Sequence, residues 1–163
     1  MKEHITELFS EFPDSIATIL IAMIPITELR ASIPIAITQF NMNPIAAFAY
    51  SVLGNVIAGA LVIFFVEKLL HSILEHSQFL NDLWQRYINK IHTKNKDKFE
   101  KWGAVMLVTF VAIPLPFTGI FTGAVAASIF QIPFRQAFPL LALGSIISGV
   151  IVMLITVGAT NII

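Results

Sequence analysis

The chain has no cysteine, which excludes disulfides, thiolate catalysis and cysteine-ligated zinc. It is poor in charge: 12% of its 163 residues are Asp, Glu, Lys or Arg, against about 25% in a soluble domain. The ten basic and ten acidic residues cancel, so bulk charge points to no nucleic-acid partner. A basic leader is lacking too. Lys2, Glu3, Glu7, Glu11 and Asp14 make the start mostly acidic, which does not read as the n-region of a signal peptide. Neither an HExxH pattern nor a phosphate-binding glycine loop occurs, so neither resident zinc nor ATP is expected, and no cofactor is implied. Glu67, His71 and Glu75, four apart on one helical face, read as a solvated face rather than a metal site.

What is abundant is apolar surface, 56% of the residues with a mean hydropathy of +0.82. One domain of this length cannot bury so much in a soluble core, and the excess requires a bilayer. Residues 2–12 place Ile5, Leu8, Phe9 and Phe12 on one face with acids opposite, predicting a short interfacial helix ended by Pro13. Asp14 and Ser15 then offer a cap. The apolar stretch 16–40 is interrupted at its centre by Pro25-Ile-Thr-Glu28-Leu-Arg30-Ala-Ser-Ile-Pro34. Asn43-Pro44 is a helix start, and 44–66 is long enough to span. Residues 67–101 are the one long polar stretch, with an amphipathic rhythm. A second apolar stretch, 102–131, is broken at Pro114-Leu-Pro116-Phe-Thr118-Gly119, and 133–160 is the second spanning helix.

An internal repeat organises these segments. Leu53-Gly54-Asn55-Val56-Ile57-Ala58-Gly59 returns as Leu143-Gly144-Ser145-Ile146-Ile147-Ser148-Gly149, a shift of 90. Upstream, Ile24-Pro25 returns as Ile113-Pro114, a shift of 89, and Pro44 returns as Pro133. Lys68, Arg86, Lys90, Lys94, Lys96, Lys98 and Lys101 all fall in the central stretch, which places 67–101 in the cytoplasm. Like repeats separated by an odd number of crossings are inverted. The expected fold is therefore an all-α integral membrane protein of the cell (inner) membrane. Each half is a re-entrant helical hairpin plus one spanning helix, and an amphipathic cytoplasmic helix lies between the halves.

Hairpin arms of this length reach only mid-membrane, where broken backbone is tolerated when buried in protein or facing water. Paired proline breaks at matching positions of two halves point to a binding site. The expected substrate or ion pathway therefore comprises Glu28, Arg30, Pro25, Pro34, Pro114, Pro116, Thr118 and Gly119. If the first tip is extended, Glu28 and Arg30 face one cavity. Glu28 is then a titrating group on which burial and Arg30 pull in opposite senses. Asn55 either bonds across a helix interface or joins the pathway. Gly54, Gly59, Gly144, Gly149, Gly119 and Gly123 mark close helix packing, between the halves or between subunits.

Glu28-Leu-Arg30-Ala-Ser-Ile-Pro34 and Pro114-Leu-Pro116-Phe-Thr118-Gly119 also carry a likeness. From about Ile16 to Thr160 the chain resembles the small multi-drug export proteins and is more distantly similar to the DedA/VTT group. The resemblance implies two re-entrant hairpins facing each other. For the DedA/VTT group it further implies proton-dependent movement of phospholipid or polyprenyl-phosphate headgroups, with Glu28 as the acid of the first hairpin and Arg30 in the same motif. The second hairpin has Pro116-Phe-Thr118 where that group has an arginine. The sequence thus favours a proton- or ion-coupled transporter or flippase for a small molecule, ion or lipid headgroup, working as a homodimer because two spans cannot enclose a path. The alternative is a structural or assembly membrane protein in which Glu28 and Arg30 are a stabilising pair. An intramembrane enzyme is not expected, because these two residues make no hydrolytic set.

Overall fold

The computed structural model describes residues 12–76, 103–115, 118–130 and 132–160, with backbone alone at 70, 71 and 73–75. Residues 2–11, 77–102 and Pro116, which carry parts of the expected interfacial helix, cytoplasmic segment and second tip, lie outside the described residues, as do the side chains of His71 and Glu75. The described chain is all helical: α1 (Asp14–Ala22), α2 (Glu28–Thr38), α3 (Pro44–His76), α4 (Gly103–Ala112), α5 (Ile120–Ile129) and α6 (Phe134–Thr160). Two of these, α3 over Pro44–Leu69 and α6, are long and apolar enough to cross a membrane.

Local chemistry sets the boundaries. The Pro13 carbonyl accepts the N–H groups of Ile16 and Ala17 at 2.8 and 3.0 Å. Asp14 is already helical and makes no side-chain cap, so the cap expected of Asp14 and Ser15 is not formed. α1 stops at Ala22, three residues ahead of Pro25. The Thr27 hydroxyl turns back toward the carbonyls of Ile21 and Ile24, at 2.8 and 3.3 Å, and so serves backbone groups left over at the break. The break covers only 23–27, and Pro34 sits inside α2 rather than at its edge. Lacking an N–H, Pro34 leaves the Arg30 carbonyl without its helical donor. After α2, Asn41 turns the chain at φ +50°, and the Asn43 side chain accepts the Ile45 N–H at 2.9 Å to start α3. α3 runs on to His76, ten residues beyond the expected end at 66. Glu67, Lys68 and Leu69 are good helix formers, so the loss of apolar character there does not end the helix.

The long helices α3 and α6 run antiparallel. Asn55 bonds Ser145, and one turn away the close neighbours of Gly149 are Phe48 and Val52. α1 and α2 pack on each other and on α3, and α2 also reaches α6. Leu29 and Ile33 of α2 join Val152, Met153 and Phe48 at one end of the pair. At the other end Leu107 and Val111 of α4 and Ile120, Ala124 and Ala127 of α5 join Ile63, Ala137 and Leu141. Each broken hairpin therefore seats at opposite ends of one helix pair.

The repeat register reappears in the contacts. A Cβ on Gly54 would run into the Ile19 carbonyl oxygen, and one on Gly144 would lie 3.0 Å from the Val108 carbonyl oxygen. Residues 19 and 108 differ by 89, and 54 and 144 by 90, the two shifts seen in the sequence. Gly59 abuts Ile120, and Gly123 abuts Val111 and Leu141. These glycine faces are thus filled within the chain, which leaves them unavailable for the subunit contact entertained above. Gly54→Ala is expected to destabilise by about 1–3 kcal/mol, because backbone rather than a mobile side chain must yield. Gly158→Ala, with nothing within 4 Å of its Cβ position, should be neutral or slightly stabilising. Thermal unfolding of the two variants in one detergent decides; equal midpoints would refute the close approach.

Candidate functional site

The two tips meet through a cluster built from residues far apart in sequence. Glu28 opens α2 at φ +47°. On a regular helix it would point away from Arg30, two residues on. The positive φ swings it round, and its Oε2 lies 3.6 Å from Arg30 Nη2. Glu28 is buried, at 5% exposure, and the Arg30 side chain is about four-fifths covered.

Arg30 reaches across to the second hairpin. Its Nη1 donates to the Leu115 carbonyl and its Nη2 to the Thr118 carbonyl, with Thr118 Oγ1 at 3.3 Å from Nη2. These carbonyls flank the break after Pro114, where no helix supplies their donors. The Thr118 hydroxyl is directed at the carbonyls of Ile113 and Leu115, both at 2.8 Å, the same device that Thr27 provides at the first tip.

Glu28 reaches the other half of the break. Its carboxylate lies beside the first turn of α5, a helix with no side-chain cap of its own. The acid of one hairpin therefore stands at the N-terminus of a helix of the other, where the helix dipole favours negative charge. Gly119 lets it in. At φ +125° it takes a backbone conformation that suits glycine, and a Cβ there would fall within the Glu28 carboxylate and 2.8 Å from Arg30 Nη2.

Of the expected pathway residues, Glu28, Arg30, Thr118 and Gly119 come together. Pro25 and Pro114 stand at the entrances of the breaks and shape them without joining the cluster. Asn55 is elsewhere, donating from Nδ2 to Ser145 Oγ at 2.8 Å across the α3–α6 crossing. The sequence reading missed the Leu115 and Thr118 carbonyls, because main-chain groups leave no residue signature. It also missed Thr27, whose signal was a hydroxyl placed between two proline-bounded arms. Among the described residues no group of three His, Asp or Glu is placed to hold a metal ion.

Chemically the cluster is a reciprocal lock: one carboxylate and one guanidinium on the first tip, and only backbone partners on the second. Arg30 Nε is buried without a partner, so the guanidinium retains a donor for a further acceptor. A family model described as "Putative small multi-drug export protein" matches residues 28–151, 124 of the 163 residues, a span that includes every member of the lock. No curated protein and no solved structure matches the chain.

Proposed function

The chain belongs to the small multi-drug export family, and from that premise we propose that it is an ion-coupled membrane transporter gated where its two hairpin tips interlock. The observation that carries the proposal is that Arg30 of the first tip is held by main-chain carbonyls at the break in the second, with Glu28 paired to it. Bonds of that kind can be exchanged without unfolding either helix pair. A polar substrate group or an incoming cation can replace a carbonyl or a carboxylate at the lock, and the tips part.

In this reading the arms are re-entrant. Nine and eleven residues in α1 and α2 make helices of about 14–17 Å, half of the roughly 30 Å hydrocarbon core. The antiparallel α3–α6 pair, the paired glycine contacts and the hairpins at opposite ends support two inverted halves. Rocking one half against the other would then alternate access. The basic central stretch sets 67–101 in the cytoplasm of the inner membrane, and a homodimer would complete the wall of the path. Transport of lipid headgroups, implied by the likeness to the DedA/VTT group, is a narrower form of the same proposal, with Arg30 as the anion anchor. The structural reading also has an observation behind it, since Arg30 cross-links segments 85 and 88 residues apart.

Native absence of cysteine makes the test direct. Ile26 is 91% exposed at the first tip and Ile113 45% at the second, and neither joins the lock. Single cysteines at these positions should react with a membrane-impermeant thiol reagent from opposite sides, Ile26→Cys from outside and Ile113→Cys from inside. Failure of both to react in the folded protein would mean sealed tips and favour the staple.

A further inference from the structure

A second set of polar side chains lies away from the lock, inside the crossing of α3 and α6. Ser51 and Asn55 stand one turn apart on α3, and Ser145 and Ser148 about one turn apart on α6. Because the helices are antiparallel and Asn55 bonds Ser145, Ser51 and Ser148 fall at the next level along the crossing. The neighbours of Gly149, Phe48 and Val52, fix that register. Ser32 of α2 approaches the same end, between Leu29 and Ile33, which pack with Phe48 and Val152. All five are buried, with Asn55 at 1% and Ser32, Ser51 and Ser145 at 0% exposure.

Three of their atoms have no hydrogen-bond partner: Ser32 Oγ, Ser51 Oγ and Asn55 Oδ1. A buried polar atom left unpaired costs about 1–3 kcal/mol, and two of the three, Ser51 and Asn55, stand one turn apart on the helix that makes the crossing. Every one is an oxygen. The only amide N–H₂ of the group, Asn55 Nδ2, is spent on Ser145, and that bond holds Oδ1 within the crossing. Amide and hydroxyl oxygens are hard, uncharged ligands. With no carboxylate among the five, they do not match the charge of Ca²⁺ or Mg²⁺, which are bound through carboxylates.

The geometry points to a binding site for one dehydrated monovalent cation, sodium, between α3 and α6, with Asn55 Oδ1 and Ser51 Oγ as ligands and Ser32 and Ser148 beside them. The site stands on these atoms alone; its role as the coupling site rests on the transport reading above. A cation there would draw α2, α3 and α6 together, and α2 carries Glu28 one turn before Ser32 and Arg30 two residues before it. Occupancy would thus be felt at the lock.

The test is thermal unfolding of the full-length protein in detergent, in sodium chloride against choline chloride at equal ionic strength, together with retention of radioactive sodium. Sodium should raise the midpoint saturably and be retained at one ion per chain. Ser51→Ala should raise the half-effective sodium concentration about tenfold, the loss of one ligand to a charge. Asn55→Asp, which adds a formal charge to the same oxygen position, should lower it. A buried water would serve these oxygens equally in either salt. Identical midpoints in sodium and choline with no ion retained would therefore overturn the site, as would an Asn55→Asp variant that gains nothing from sodium. The thiol labelling at Ile26 and Ile113 reads the tips whether or not sodium binds, so the two proposals fail separately.

Discussion

Arg30→Ala is expected to lower the stability of the folded protein by about 3–5 kcal/mol, as removal of one partner from a buried ion pair does. Three losses coincide. The Glu28 carboxylate keeps its burial but loses its counter-charge, and the Leu115 and Thr118 carbonyls lose the charged donor that joins them. A side chain joining two hairpins is also gone, so α4 and α5 are held to the first half by packing alone. Arg30→Lys should recover only part of this, because one ammonium cannot reproduce a fork that reaches two carbonyls at once. Glu28→Gln should behave differently. Its amide keeps the size and shape of the carboxylate, Arg30 keeps both carbonyls, and the fold should survive near its normal midpoint. If Glu28 is the group whose charge works the gate, labelling of Ile26→Cys in that background should change even though stability does not. Thermal midpoints and labelling rates in the same detergent separate the outcomes. An Arg30→Ala variant as stable as the parent would show that the lock holds nothing. A Glu28→Gln variant that unfolds readily, with labelling unchanged when folded, would favour the pair as a structural staple.

Much of this arrangement was legible in the sequence because proline and glycine act through main-chain geometry that does not depend on tertiary context. Pro25 and Pro114 located both breaks, Asn43-Pro44 and Pro133 located the starts of the long helices, and the shifts of 89 and 90 anticipated matching contacts at Gly54 and Gly144. Three things were not legible, each for a physical reason. The uncharged second tip offered Thr118 and Gly119 to the sequence reading but not the carbonyls that hold Arg30, which every residue possesses. Glu28 and Arg30 were expected to converge on an extended tip, but both lie in α2 and converge through φ +47° at Glu28, a conformation that composition would not assign to glutamate. The end of α3 was misplaced because an apolar pattern reports where a helix meets lipid, whereas the helix itself stops only where backbone bonding stops. Of the two readings of Asn55, the structure shows the bond across the helix crossing.

Gly119→Ala concentrates the remaining test on a single methyl group. At φ +125° and ψ −169° an L side chain is strained by about 1–3 kcal/mol. The methyl would also occupy the volume now held by the Glu28 carboxylate and press on Arg30 Nη2, an overpacking of about 1–3 kcal/mol more. The backbone cannot relieve the strain by moving to negative φ without disturbing the adjoining Thr118 carbonyl that Arg30 holds. Strain and lock are therefore the same structural fact, and the variant should lose both together. Introducing Glu28→Ala into Gly119→Ala separates them: removing the carboxylate opens the space but leaves the φ penalty. Partial recovery of the thermal midpoint in the double variant, relative to Gly119→Ala alone, is the expected result. It would establish that glycine is needed at this position to admit a charged side chain from the other hairpin as well as to make a turn. No recovery would mean that backbone strain accounts for the whole effect, and Gly119 would then be a turn residue with no part in the lock.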